Sequence, residues 1–513
     1  MKTSTLFPLV AALIVSVFAT DALNLPLGDT LEECLRASNV TVIAPDDTLY
    51  DTVRQTWNSR IQYSPKFIVQ PNSTQEVQHS VRCAATHSNV AVTVKSGGHG
   101  YAGYAIGGED GDLTIDVTNF NNIDVDKESS LVRAGTGNHL WDLYKTIYED
   151  NLVLPGGTCP QVGIGGHASF GGYGPLSRKM GLLLDRIVEA EIVYANGTAA
   201  NVTQGEDIFF AITGAAPSFA IVTQFTFLAE RAPENTVIFS HSLINRTAES
   251  AADALVNKIL CTLLTYHSFD AFVSFINRNV TNDFSAWITL GPGSFELNGM
   301  YFGSQDDFEV IAKPLFEGVK LSSNDSQDVS QTSEFIEMYK QIYGDFSPVA
   351  EPKPFYSKSL MINEPLTVDQ SLSFFNYLSN SGVQAKNQGY DWYIIVDPYN
   401  GVIHEKSTQE RSFAHRNTLL TFQFFAEMGE KEETLFSLVD GMVDSITELP
   451  KAAYPNYVDP RLINWQELYY GPNYLRLQEI KGVVDPNNTY RFPQSSKFCC
   501  NCLLKLTVAV EIP

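Results

Sequence analysis

Gly156-Gly157-Thr158-Cys159-Pro160-Gln161-Val162-Gly163-Ile164-Gly165-Gly166-His167 threads one cysteine and one histidine through glycine, and Gly171-Gly172-Tyr173-Gly174 extends the run. A second stretch of the same character stands upstream, Lys95-Ser96-Gly97-Gly98-His99-Gly100-Tyr101. Without a Cβ, glycine lets backbone N–H groups approach a ligand closely and present donors to a group such as a pyrophosphate. Taken singly, glycine runs are turns, His99 is a loop histidine and Cys159 is a buried thiol. Two glycine-dense loops that each carry a nucleophile point instead to one ligand site built from both segments.

The surrounding sequence shows what carries these loops. Ser73-Thr74-Gln75-Glu76 is a capping box that opens a helix through Ala85. Val90, Val92 and Val94 alternate with polar or small residues, a strand that ends at Ser96-Gly97-Gly98. Further strands fit Leu113 to Val117, Leu131 to Ala134 and Ile187 to Tyr194, and Leu140, Leu143 and Ile147 mark one face of a helix over 140–148. The regular βαβ period of a dinucleotide-binding Rossmann fold is missing. Residues 236–450 have another texture: Ala271 to Ile276, Phe284 to Leu290, Trp392 to Val396 and Leu419 to Phe425 read as strands of an antiparallel sheet. Helices over Asp307 to Val319 and Val368 to Leu378 lie between them. The expected fold class is therefore α+β.

The totals narrow the class. At 513 residues the chain exceeds one compact core, and 44% hydrophobic content is ordinary for a globular protein. A net charge of −24 with no basic cluster argues against nucleic acid. Met1-Lys2, the apolar run Leu6 to Phe18 and the small residues Ala19 and Ala22 read as a secretory signal, residues 1–22, too short to span a bilayer. The expectation is a secreted monomer with no membrane partner. Asn39, Asn72, Asn196, Asn201, Asn245, Asn279, Asn324 and Asn487 begin glycosylation sequons. The seven cysteines are Cys34, Cys83, Cys159, Cys261, Cys499, Cys500 and Cys502, and an odd number leaves one unpaired.

The motifs SGGHGY (96–101), GTCPQVGIGGH (157–167) and YYGPNYLRLQEIKGVVDPNNTYRFPQS (469–495) resemble those of the berberine bridge enzyme-like branch of the vanillyl-alcohol oxidase superfamily, closest to its glucooligosaccharide oxidases. The resemblance covers about residues 30–495. It implies a two-part FAD-binding domain (28–235, rejoined by 451–496), a substrate domain over 236–450 with a large antiparallel sheet flanked by helices, and an atypical cysteine-rich tail at 497–513. It implies FAD bonded at its 8α-methyl by His99 and at ring carbon C6 by Cys159. Ser96, Gly97, Gly98, Gly100, Tyr101, Gly163, Gly166, His167, Gly171, Ile221 and Asn473 would also bind it. Cys159 then becomes the odd cysteine, and Cys34 with Cys83 is the expected disulfide.

By the same resemblance Tyr457 is the base with Asp397 beside it, Tyr101, Tyr393 and Tyr454 touch substrate, and Val162 gates oxygen. The implied activity is oxidation of the reducing-end C1 hydroxyl of oligosaccharides to lactones, with O2 reduced to H2O2. Two departures matter. The run Asp207 to Thr223 lacks the family's arginine and three of its glycines, and Pro217 removes a backbone donor. Tyr393 and Ile395 stand where sugar oxidases show Trp and Gln. These changes keep two alternatives open: oxidation of a non-sugar alcohol or secondary metabolite, and a flavin-binding relative with lapsed activity.

Overall fold

The computed structural model describes residues 28–87, 90–243, 265–278, 280–319, 326–332, 336–337, 351–446 and 452–498. The signal segment, the tail from 499, Cys261, Cys499, Cys500, Cys502 and the sequons at Asn245, Asn279 and Asn324 lie outside the described residues.

The first part of the chain builds two small sheets. Strands β1 (Thr41–Ile43), β2 (Phe67–Gln70), β3 (Val92–Lys95) and β4 (Leu113–Asp116) form a four-stranded sheet in the order β1-β2-β4-β3, with β4 parallel to both neighbours. Helix Thr74–Thr86 covers it, opened by Ser73, whose hydroxyl accepts from the Glu76 N–H at 3.3 Å. Cys34 and Cys83 are joined as a disulfide beneath this helix. Strands β5 (Ile123–Asp126), β6 (Leu131–Gly135), β7 (Ile187–Tyr194), β8 (Ala199–Thr203) and β9 (Ala220–Leu228) form an antiparallel sheet ordered β5-β6-β9-β7-β8. Helix Leu140–Tyr148 packs against it through Leu140, Leu143, Tyr144 and Ile147, the spacing that a single apolar face requires.

The second part is one seven-stranded antiparallel sheet: β10 (Thr236–Leu243), β11 (Phe284–Gly291), β12 (Ser294–Tyr301), β13 (Ser326–Thr332), β14 (Phe355–Ile362), β15 (Trp392–Pro398) and β16 (Leu420–Glu427). Its order is β13-β10-β12-β11-β15-β16-β14. Helices Gln305–Gly318, Val368–Tyr377 and Glu432–Asp444 cover one face with a core of Phe, Leu, Ile and Val. Residues 265–276, expected as a strand around Ala271 to Ile276, are helical. Phe269, Phe272, Val273 and Ile276 are all buried, and their i, i+3, i+4, i+7 spacing is the helical period that outweighs the local β-propensity.

The end of the chain returns to the first part. In helix Asn473–Val484, Lys481 is fully buried, and its ammonium donates to the carbonyls of Ser218 and Tyr490 and to Asp485. The Tyr490 hydroxyl donates to the Val193 carbonyl in β7 at 2.9 Å. No helix among the described residues is long and apolar enough to cross a membrane.

Candidate active site

The loop after β3 carries His99, and the loop before helix Ile164–Phe170 carries Cys159. Glycine sets their spacing. A Cβ on Gly97 would stand 2.5 Å from the Gly163 nitrogen, and one on Gly163 would stand 2.2 Å from the Gly97 nitrogen. The two backbones touch, and only residues without a Cβ allow it. The second loop is also fastened by the Leu140 N–H to the Val162 carbonyl and the Ile164 N–H to the Asn138 carbonyl, both at 2.9 Å. Ser96 donates to the Thr136 carbonyl at 2.6 Å and ties the first loop to the same ground.

Both loops open on a cavity of about 370 Å³ that also takes in the surface of the large sheet. His99, Cys159, Ser96, Gly97, Gly98, Gly100, Gly163, Gly166, His167 and Val162 line it, as do Tyr101, Tyr393, Asp397, Tyr454 and Tyr457. The loops and the sheet thus bring nearly all the expected residues to one chamber. Three are elsewhere. Asn473 donates its amide to the carbonyls of Thr408 and Ser412 and fastens a loop, so it is no cavity residue. Ile221 points into the apolar core; its strand neighbours Ala220 and Val222 line the cavity, because successive side chains alternate faces. Gly171 lies against the Tyr454 ring, and a Cβ there would meet it at 2.7 Å.

The electrostatics follow from burial. Desolvation pushes His99 down to about 4, against a weaker backbone hydrogen bond, and the imidazole is neutral at physiological pH. His99 stacks on Trp57 with ring centres 4.1 Å apart. Burial raises the Cys159 thiol although its surface is open to the cavity, so the protein alone keeps it protonated. His167, also lowered to about 4 by burial, accepts the Gly157 N–H at 2.8 Å and holds the cysteine loop. Burial alone raises Asp397 to about 7, and burial together with neighbours that include Asp397 raises Tyr457 well above the ordinary phenol value. Tyr457 stacks flat on Tyr101, centres 5.6 Å apart and planes within 3°. Tyr454 is turned inward: its hydroxyl accepts the N–H groups of Gly172 and Tyr173 at 2.9 and 3.1 Å.

Gln423 and Trp57 are among the cavity residues that escape a reading of the sequence. Gln423 donates to the Tyr101 hydroxyl. Its one available signal is an amide within the otherwise apolar centre of β16, facing away from Phe422 and Phe424. Trp57 carries no such signal; tertiary contacts bring it to the site, among them its N–H bond to the Gly98 carbonyl at 2.9 Å and its packing against Phe355.

The chamber fits a flavin nucleotide. Gly100 and Gly166 line it with nothing within 4 Å of an added Cβ, so their backbones face open space that a side chain would fill. A neutral imidazole and a thiol reach the same space from opposite loops. Ala216, Pro217 and Ala220 of the altered run keep their place on the wall, and Gly214 holds the turn before them at φ +151°, with a Cβ position 2.2 Å from the Ser412 hydroxyl.

Comparisons with known proteins agree with this fit. Residues 65–203 match the FAD binding domain family, and residues 453–496 match the family described as berberine and berberine like. The FAD-linked oxidoreductase sorD of Penicillium rubens is 35% identical over 90% of this chain and 97% of its own. The chitooligosaccharide oxidase of Gibberella zeae is 28% identical over 91% of this chain and 94% of its own. A solved glucooligosaccharide oxidase from Acremonium strictum, described with a 6-S-cysteinyl, 8α-N1-histidyl FAD, superposes with a TM-score of 0.82. It is 25% identical and covers 91% of this chain and 99% of its own. This chain belongs to the berberine bridge enzyme-like FAD-linked oxidoreductases of the vanillyl-alcohol oxidase type, and FAD is its cofactor.

Proposed function

We propose that the protein is an oxidase of a hydroxyl-bearing carbon, with FAD held by His99 and Cys159 in the first lobe and substrate laid on the large sheet of the second. The observation that carries this reading is the meeting of Tyr457 and Asp397 in the chamber onto which His99 and Cys159 open. When bound there, FAD would supply a two-electron acceptor for the carbinol and a route for those electrons to O2, with H2O2 as the product. Tyr457 takes the hydroxyl proton as the carbon–hydrogen bond breaks. A phenol raised by burial cannot do so unaided, so its own proton goes to ionised Asp397. Tyr101, flat against Tyr457, fixes the plane in which that phenol works. Val162 is half-buried on the cavity wall and would limit how oxygen enters.

The reducing-end C1 hydroxyl of an oligosaccharide is the donor that relatives such as the chitooligosaccharide oxidase support. A second reading, a non-sugar alcohol, is favoured by Tyr393 and Ile395 on the cavity side of β15. Anaerobic mixing of the yellow enzyme with candidate donors tests the shared claim. Bleaching of the flavin, with H2O2 formed when air returns, is the expected result. A flavin that no carbinol bleaches would remove the proposal.

A further inference from the structure

The large sheet parts beside Asp397. Strands β11 and β15 pair at Leu290 with Ile394, Thr289 with Ile395 and Ile288 with Val396, and the ladder stops there. Carried on in the same register, Phe284 would face Asn400. Instead Arg178, a residue of the first lobe, bridges the two strand ends. Its guanidinium donates to the carbonyls of Phe284, of Thr281 at 3.2 Å and of Val280 at 3.3 Å on the β11 side. On the β15 side its Nε donates to the side-chain oxygen of Asn400 at 2.7 Å.

Arg178 is 1% exposed, and all four of these partners are neutral oxygens. A cation buried without a carboxylate loses hydration that carbonyls only partly replace. A ladder continued to Asn400 would pair backbone groups with no buried charge at all. General stability therefore does not account for Arg178, and its place in the chain suggests what does.

The segment that carries it follows helix Ile164–Phe170, which itself follows the Cys159 loop. That segment grips the chain at both reacting groups. Tyr173 donates its hydroxyl to the carbonyl of Pro398, next to Asp397, at 2.9 Å, and stacks on Tyr399 with centres 4.6 Å apart. A Cβ on Gly401 would stand 2.5 Å from the Arg178 carbonyl, so the two backbones lie in contact. The N–H groups of Gly172 and Tyr173 hold the Tyr454 hydroxyl, and the Tyr454 ring meets Tyr457 edge-on at 5.0 Å.

From these contacts we infer that Arg178 and Tyr173 are positioning residues for Asp397. They tie the strand end that bears the carboxylate to the segment behind Cys159, and so fix where Asp397 stands relative to Tyr457. The inference rests on the roles proposed above for Asp397 and Tyr457 and adds the residues that hold them in place.

The test uses purified holoenzyme carrying Arg178→Met or Tyr173→Phe, each alone and combined with Asp397→Asn. Anaerobic flavin bleaching is followed with cellobiose, chitobiose and cinnamyl alcohol as donors. Each single variant should slow the limiting rate by on the order of 10–100-fold, with the half-saturating donor concentration little changed. In the Asp397→Asn background the further loss should vanish, because a positioning residue acts only through the group it places. Equal losses in both backgrounds would mark a merely structural role and overturn the inference. Tyr173→Phe keeps the stacked ring and loses one hydroxyl, so it carries the test if Arg178→Met fails to fold.

A second measurement needs no turnover. The flavin absorption band of the parent, titrated without donor, should show a transition at about 7 that Asp397→Asn lacks. Tyr454 and Tyr457, the titratable groups facing Asp397, are raised by burial and stay neutral through that range. Loosening the strand end admits water to the carboxyl, so both variants should move the transition to lower pH. A transition that neither variant moves, or that the parent lacks, would overturn the inference. A moved transition in an enzyme that no donor bleaches would sink the oxidation and keep the placement of Asp397.

Discussion

At the scale of single residues, burial determines what each group in the chamber can do. Neutral His99 has a ring lone pair with which to form a bond to carbon, whereas an imidazolium would not. His99→Ala and Cys159→Ala, made singly, are each expected to retain flavin colour after denaturation and gel filtration. The double variant is expected to lose it. Colour lost from either single variant would mean one attachment rather than two.

Asp397 has the opposite constraint, because it acts only when ionised and burial raises it to about 7. Turnover should therefore rise with pH through that value. Asp397→Asn should flatten the rise and lower kcat by roughly 10²–10⁴-fold, measured across a pH series. The same shift bears on stability. A carboxyl raised on folding contributes stability that is full below its unfolded value and lost as pH climbs through about 7. The Asn variant's melting temperature relative to the parent should accordingly grow over that window, and a flat difference would contradict the assignment.

At the scale of elements, the contact between Gly97 and Gly163 gives the sharpest contrast. Gly163→Ala puts a methyl 2.2 Å from a backbone nitrogen that has no flexible end to yield, and it should destabilise the fold by ~1–3 kcal/mol and impair flavin attachment. Gly166→Ala meets nothing within 4 Å and sits inside a helix, so thermal melting of the flavin-free protein should be no lower while flavin incorporation falls. Equal melting of the two variants would refute this account of the loops.

Elements were legible in the sequence where one period dominated. Leu140, Leu143 and Ile147 marked their helix, and the strand-like run Ile187–Tyr194 was bounded to the residue. Residues 265–276 misled because Phe272, Val273, Phe275 and Ile276 crowd apolar, β-prone side chains together, and the helical spacing appears only when Phe269 is counted. The site was legible in its motifs and hidden elsewhere. His99 and Cys159 announce themselves beside glycine, but Trp57 and Gln423 arrive through tertiary packing. Asn473 sits in a telling motif yet serves a loop.

At the scale of the whole molecule, the returning C-terminal segment is fastened to the first lobe by Lys481, which donates to the Ser218 carbonyl and is held in place by a fully buried ion pair with Asp485 of its own segment. Lys481→Met would leave the carboxylate without its cation and should cost about 3–5 kcal/mol, read as a lowered denaturation midpoint. An unchanged midpoint would show the segment to be dispensable. Asn39, Asn72, Asn196, Asn201 and Asn487 are all exposed, so glycans at these sequons need no rearrangement of the fold. A fall in mass on treatment with an endoglycosidase is expected of protein from a secreting host.

The closeness of the two glycine loops has a mechanical side as well. Positions 99 and 159 stand 60 residues apart in the chain, and the folded backbone holds both against one chamber. A ring bonded to both would be a cross-link, limiting the freedom of the unfolded chain much as a disulfide does. For a loop of that length the chain-entropy effect is roughly 4 kcal/mol. A prosthetic group attached this way would act as a structural brace in addition to its redox work. Cutting either bond should lower the protein's resistance to heat even where colour and turnover remain.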